Sequence, residues 1–420
     1  MATTTTYLQG LRLDDHTLRV PLVHHDAADT RTIEVFARVV TPTGGENLPF
    51  LVYLQGGPGF EAPRVALNPL SPGWLGAALK RYRVVMLDQR GTGRSTPVDS
   101  GLLSQGNTHE VAEYLSHFRA DSIVEDAELL REHLGASTQQ WNLLGQSFGG
   151  FTAVSYISTH PESVHRAFFT GGLPPVTGHV DEFYSATFNK MRWLSENYYS
   201  RFPHDRERMR NAVELAAAGE IVLPDGEVVS PSRLRSIGMD LGRNDGWLAI
   251  HNLLEWDPRS ATFAHDLSAQ LPFDARNPIY FLLHEACGAN GVVTNWSAER
   301  VMPADFHEDS TLLTGEHVFG DWCETVPAWQ PWAEVARELA QWRWTPLFDP
   351  DVLQTSGVRG AATIYLRDAF VPFELSMTTA DLMPGVREIV TNSHEHNGLR
   401  AMGDDIFEHM CDVAEGIRYR

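Results

Sequence analysis

Trp141-Asn142-Leu143-Leu144-Gly145-Gln146-Ser147-Phe148-Gly149-Gly150 is the stretch whose reading decides the fold. An apolar run at 141–144 leads into a Gly-x-Ser-x-Gly pentapeptide at 145–149, and a helix-compatible segment follows from Gly150 to Ile157. Strand, sharp turn, serine and helix in that order make a nucleophile elbow. The turn strains its central residue, so its neighbours must be small, and Gly145, Gly149 and Gly150 meet that need. Ser147 is thereby lifted to the tip of a sheet, at the positive end of the next helix.

Upstream, Leu51-Val52-Tyr53-Leu54 ends in Gln55-Gly56-Gly57-Pro58-Gly59. A Gly-rich segment after an earlier strand supplies one backbone N–H of an oxyanion hole, and the residue after the nucleophile supplies the other. Here these are Gly57, or its neighbour Gly56, and Phe148. Further apolar runs at 82–87 and 167–170 bracket a helical stretch at about 122–134. Strands alternating with helices predict a mostly parallel α/β sheet flanked by helices. Residues 7–42 read as short β-like runs, and the N-terminal threonines as a low-complexity tract. From about 176 to 345 the chain becomes Trp-rich and helical in period, with Ala333–Trp344 as one amphipathic helix. Alternation resumes with strands at 361–366 and 386–390 and a last helix at about 404–415. The organisation expected is a core of 1–175 and 346–420 interrupted by a helical cap at 176–345.

Bulk composition narrows the partners. A chain of 420 residues is long enough for two structural units, and its 43% apolar and 21% charged content is that of a globular protein. The net charge of −21 argues against nucleic acid or an anionic membrane as partner and mildly favours cationic substrates. Cys287, Cys323 and Cys411 form no C-x-x-C pair, which predicts neither a disulfide framework nor a zinc site and fits a reducing compartment. The 18 histidines include no His-Glu-x-x-His, so no metal is expected. There is no basic n-region with an apolar h-region and no run of membrane-spanning length. The expectation is a cytoplasmic protein with no cofactor.

A serine nucleophile needs a base, and the base an orienting carboxylate. In α/β-hydrolases these follow in the order Ser, acid, His, at the ends of the last strands. The strand at 361–366 ends in Arg367-Asp368, and that at 386–390 in Thr391-Asn392-Ser393-His394-Glu395-His396-Asn397-Gly398. Asp368 is the acid. Position leaves His394 and His396 as bases, with the small turn Asn397-Gly398 favouring His396.

Gly56-Gly57-Pro58-Gly59, the octapeptide Asp88-Gln89-Arg90-Gly91-Thr92-Gly93-Arg94-Ser95 and the elbow together resemble the proline iminopeptidases (prolyl aminopeptidases), serine peptidases of the α/β-hydrolase fold. Leu283-His284-Glu285-Ala286-Cys287, Leu313-Thr314-Gly315-Glu316 and Glu395-His396-Asn397-Gly398 resemble the larger, long-capped variety of that family, from about residue 30 to the C-terminus. The resemblance implies release of N-terminal proline from small peptides with a free N-terminus. It matches Asp368 and His396 to the acid and base positions, and it assigns Glu285 and Glu316 to the substrate α-ammonium, which carboxylates pair with and blocked termini lack. Gln55 stands where many relatives carry His, and Gly-Gln-Ser-Phe-Gly where smaller members carry Gly-Gly-Ser-Trp-Gly. Phe148, Phe319, Trp322 and Trp296 are the aromatic candidates for a proline pocket, and Asp88 with Arg90 or Arg94 for fixing the loop beside the oxyanion segment. The alternatives are a capped esterase or amidase with the same triad, and a non-catalytic binding protein of this fold. An aspartate-nucleophile hydrolase is disfavoured by Ser147. Oligomeric state is left open.

Overall fold

Residues 50–54, 83–87 and 141–146 are almost wholly buried along their length, as expected of central strands covered on both faces. In the computed structural model, which describes residues 2–419, they lie within one nine-stranded sheet. Its strands are β1 (Ala2–Leu8), β2 (Leu11–Pro21), β3 (Thr32–Pro42), β4 (Phe50–Leu54), β5 (Arg83–Leu87), β6 (Trp141–Gln146), β7 (Val164–Thr170), β8 (Arg359–Tyr365) and β9 (Val386–Thr391). They run in the order β1-β2-β3-β5-β4-β6-β7-β8-β9. The pairs from β1 to β5 across β2 and β3 are antiparallel, and every pair from β5 through β9 is parallel.

Alternation along the strands divides the core. Val52, Leu54, Val85, Leu87, Leu143 and Phe169 pack into the cluster that includes the helices 120–133 and 148–159. Leu51, Tyr53, Val84, Met86, Leu144 and Phe168 face the opposite way, onto helices 75–79 and 403–414. Successive side chains point to opposite faces, so each strand serves both layers.

The threonine tract is not a tail. Thr3 to Thr6 pair with His16 to Leu13 of β2, a role that β-branched threonine suits. Between β7 and β8 the chain is helical, beginning with Val180–Arg201 and including Ala333–Ala340. That last helix stops short of the expected Trp344, because the N–H of Trp344 donates to the Val292 carbonyl and the Arg119 guanidinium stacks 4.9 Å from its ring. Tertiary contacts there override the helical period. The helix Thr108–Ser116, which periodicity did not pick out, opens on a capping box of Asn107 and Glu110.

The carboxyl ends of β4, β6, β7, β8 and β9 all open onto one edge, where ligands bind in open α/β sheets.

Candidate active site

Ser147 follows β6 directly with φ 55° and ψ −126°. A non-glycine residue there carries ~1–3 kcal/mol of strain, and the packing explains how it is held. A Cβ on Gly149 would lie 1.9 Å from the Leu54 carbonyl oxygen, one on Gly145 2.5 Å from the Gly149 oxygen, and one on Gly150 2.2 Å from the Gly172 oxygen. The elbow is wedged between the ends of β4 and β7, and only glycine fits at these three places. Phe148 opens the helix 148–159, so its N–H has no intrahelical acceptor.

Gly56 and Gly57 share a cavity of about 160 Å³ with Ser147 and His396. A Cβ on Gly56 would meet the Ser147 Cβ at 3.0 Å, so the backbone of this segment presses against Ser147. The Gln89 side-chain amide holds the segment by donating to the Gln55 carbonyl at 2.7 Å. Gln55 itself turns its side chain aside, accepting from the Tyr53 hydroxyl at 2.9 Å. Asp88 steadies the neighbouring loop through the Arg64 guanidinium and the backbone N–H of Arg94. Arg90 and the Arg94 side chain, offered by the sequence as its partners, reach Asp126 and Asp15 instead.

Asp368, buried just beyond β8, accepts from the N–H groups of Phe370 and Val371 at 2.9 Å each. Its two oxygens lie 3.0 and 2.8 Å from His396 Nδ1. That contact fixes Nδ1 as the protonated nitrogen and leaves Nε2 free to accept a proton. Burial works against the imidazolium of His396, but the Asp368 carboxylate outweighs it and the pKa is raised above 6.5. Gly171, at φ 50°, makes room: a Cβ there would meet His396 Nδ1 at 2.9 Å and Asp368 Oδ2 at 3.1 Å. His394 faces away, on another cavity, with Nδ1 3.2 Å from the Asn244 amide.

The two glutamates part company. Glu316 lines the Ser147 cavity, and its Oε1 accepts from the buried Tyr280 hydroxyl at 2.5 Å. Glu285 does not line it. Its oxygens accept from the N–H groups of Ser297 and Ala298, at 2.9 and 2.8 Å, at the start of a short helix. Burial lifts its pKa to about 7, partly offset by those two bonds. None of the four aromatic candidates lines the Ser147 cavity, which takes Phe60, Tyr280 and Phe370 together with Met239 instead. Trp322 and Trp296 pack against Phe281, Phe319 against Trp322, and the Phe148 ring against Phe151. Tyr280 and Arg400 carried no sequence signal, because each reaches the cavity only through the packing of the helical block and of the short helix Gly398–Ala401. Among the described residues no group of three or more His, Cys, Asp or Glu side chains is arranged to hold a metal ion.

Fold and cavity define the α/β-hydrolase class, and the family model described as "alpha/beta hydrolase fold" matches residues 49–219. Two curated relatives extend over nearly the whole chain. A proline iminopeptidase of Aeromonas sobria is 38% identical over 420 residues, covering 96% of each chain. The proline iminopeptidase aneH of Aspergillus aculeatus is 30% identical over 96% of this chain and 94% of its own. The chain belongs to the proline iminopeptidase family.

Proposed function

We propose that this enzyme is a serine exopeptidase that releases proline from the free N-terminus of small peptides. The observation that carries the reading is Glu316, a carboxylate in the same cavity as Ser147 and His396, with the Tyr280 hydroxyl fixing Oε1 and Oε2 left to meet a substrate ammonium.

Ser147 Oγ attacks the carbonyl carbon of the first residue while His396 Nε2 takes its proton. Asp368 stays ionised and stabilises the imidazolium. The N–H groups of Gly57 and Phe148 receive the developing oxyanion, a contribution of about 10²–10³ in kcat per donor. Collapse of the tetrahedral intermediate breaks the C–N bond, and His396 returns the proton to the leaving amine. Water, activated by the same imidazole, hydrolyses the prolyl ester and regenerates Ser147. Glu316 pairs with the proline ammonium, and an N-acetyl group forfeits that pairing. Glu285 acts as a helix cap rather than a substrate ligand.

Residues 176–345 form the cap in this reading, since Met239, Tyr280 and Glu316, which line the cavity, all come from it. The core is then 1–175 and 346–420. No helix among the described residues is long and apolar enough to cross a membrane. A cytoplasmic location is supported by three free, buried cysteines.

A panel of aminoacyl-arylamides tests the activity. Prolyl-arylamide is expected to be the best substrate, ahead of alanyl and leucyl, with N-acetylprolyl-arylamide inert. Equal turnover of the blocked compound would instead identify an esterase or amidase of this fold.

A further inference from the structure

A second cavity, of about 420 Å³, adjoins the one that holds Ser147, and Phe60 and Arg400 line both. Three arginines line this second cavity. Arg64 is neutralised by Asp88, to which it donates at 2.8 and 2.6 Å. Arg276 is neutralised by Glu61. Arg400 differs: among the described residues its guanidinium has no hydrogen bond and no ion pair, in a chain of net charge −21. Glu316 lines the first cavity with Arg400, yet the two are not paired with each other. An unpaired cation and a carboxylate with one free oxygen thus share one cavity, with the nucleophile and its base in the same lining.

We infer that Arg400 binds the C-terminal carboxylate of the residue that leaves, so that the preferred substrates are dipeptides with a free C-terminus. The inference rests on the aminopeptidase reading above. A prolyl dipeptide is a zwitterion, its ammonium one residue before the scissile bond and its carboxylate one residue after. Successive residues advance by ~3.3–3.6 Å, so that carboxylate sits about one residue's length beyond the carbon that Ser147 attacks, and Arg400 belongs to the same cavity lining as Ser147. Guanidinium matches carboxylate geometrically and can donate twice. Longer peptides place a neutral peptide group at Arg400 and run on into the second cavity. Arg400 would be a binding residue for the leaving side, complementary to Glu316 on the acyl side.

The test compares kcat/KM for Pro-Gly and for Pro-Gly amide, which differ only in the terminal carboxylate. For the wild type the acid is expected to be favoured by about 5–30-fold, the range for a charge-assisted hydrogen bond discounted for the exposure of Arg400. In Arg400→Met the ratio should fall to about 1, and Arg400→Lys should regain part of it. Because Arg400 is exposed and its guanidinium has no hydrogen bond or ion pair among the described residues, both variants are expected to fold as the wild type does. A wild-type ratio near 1, or a ratio unchanged in Arg400→Met, overturns the inference while leaving proline release intact. Failure of the wild type to release proline from either compound removes the aminopeptidase reading, and the carboxylate subsite with it.

Discussion

Glu285→Gln separates a helix cap from a substrate ligand, and its signature is pH-dependent. Glu285 is 6% exposed, and burial raises its pKa from 4.5 to about 7. A carboxyl whose folded pKa lies above its unfolded value binds its proton more tightly when folded. Its stabilising contribution is therefore complete below about pH 4.5 and is lost as pH rises through about 7. At about 1.36 kcal/mol per pH unit the loss comes to ~3 kcal/mol. Glutamine is neutral at every pH and escapes this loss. It also turns an amide N–H toward one of the two backbone donors, a pH-independent penalty of about 1–3 kcal/mol. Urea unfolding of wild type and variant between about pH 5 and pH 8 should therefore give stability curves that converge, or cross, as pH rises. Turnover of prolyl-arylamide should change less than about 2-fold. Parallel curves would refute the assignment of this titration to Glu285. A large loss of kcat/KM at unchanged stability would return the residue to the substrate site.

Three further outcomes follow from the geometry. His396→Ala should lower kcat/KM by several orders of magnitude and Asp368→Asn by about 10⁴, while His394→Ala, on another cavity, should leave it nearly unchanged in the same arylamide assay. Glu316→Gln should cost about 10–150-fold in kcat/KM on prolyl-arylamide, the worth of one hydrogen bond to a charged group, and leave p-nitrophenyl acetate hydrolysis nearly untouched. The acid limb of kcat/KM against pH should have its midpoint above 6.5, because Asp368 raises the pKa of the base that must be neutral to act; in Asp368→Asn that limb should move to lower pH.

What was legible in the sequence lies at the carboxyl ends of strands. There the backbone alone decides which residue reaches the sheet edge, so Ser147 and Asp368 could be read from apolar runs and the residues that end them, whereas for the base, position left His394 and His396, and the small turn Asn397-Gly398 and the family resemblance favoured His396. The glycines of the elbow were legible for the same reason, since 1.9 Å between a Cβ and the Leu54 oxygen leaves no other choice. The glutamates were not. Glu285 and Glu316 both follow apolar runs in the helical block, and only its tertiary packing sends one to two helix N–H groups and the other to the cavity. Asp88 finding Arg64 rather than Arg90, and Tyr280 meeting Glu316, are likewise contacts between segments far apart in the chain. The threonine tract shows the opposite error. It reads only as a low-complexity tract, with no strand assigned, yet pairing with β2 makes its β-branched residues an edge strand.

The proposed activity turns on attack by Ser147 at the carbonyl of a residue whose free ammonium is recognised in the same cavity. Its most direct test is a diphenyl phosphonate analogue of proline, prepared with a free amine and with an N-acetyl group, followed by mass spectrometry of the digested enzyme. The free amine should label one site stoichiometrically, on the peptide containing Ser147, and the acetylated analogue should label slowly or not at all. Label on a different residue, or equal labelling by both analogues, would rule out this role for Ser147 or for ammonium recognition beside it.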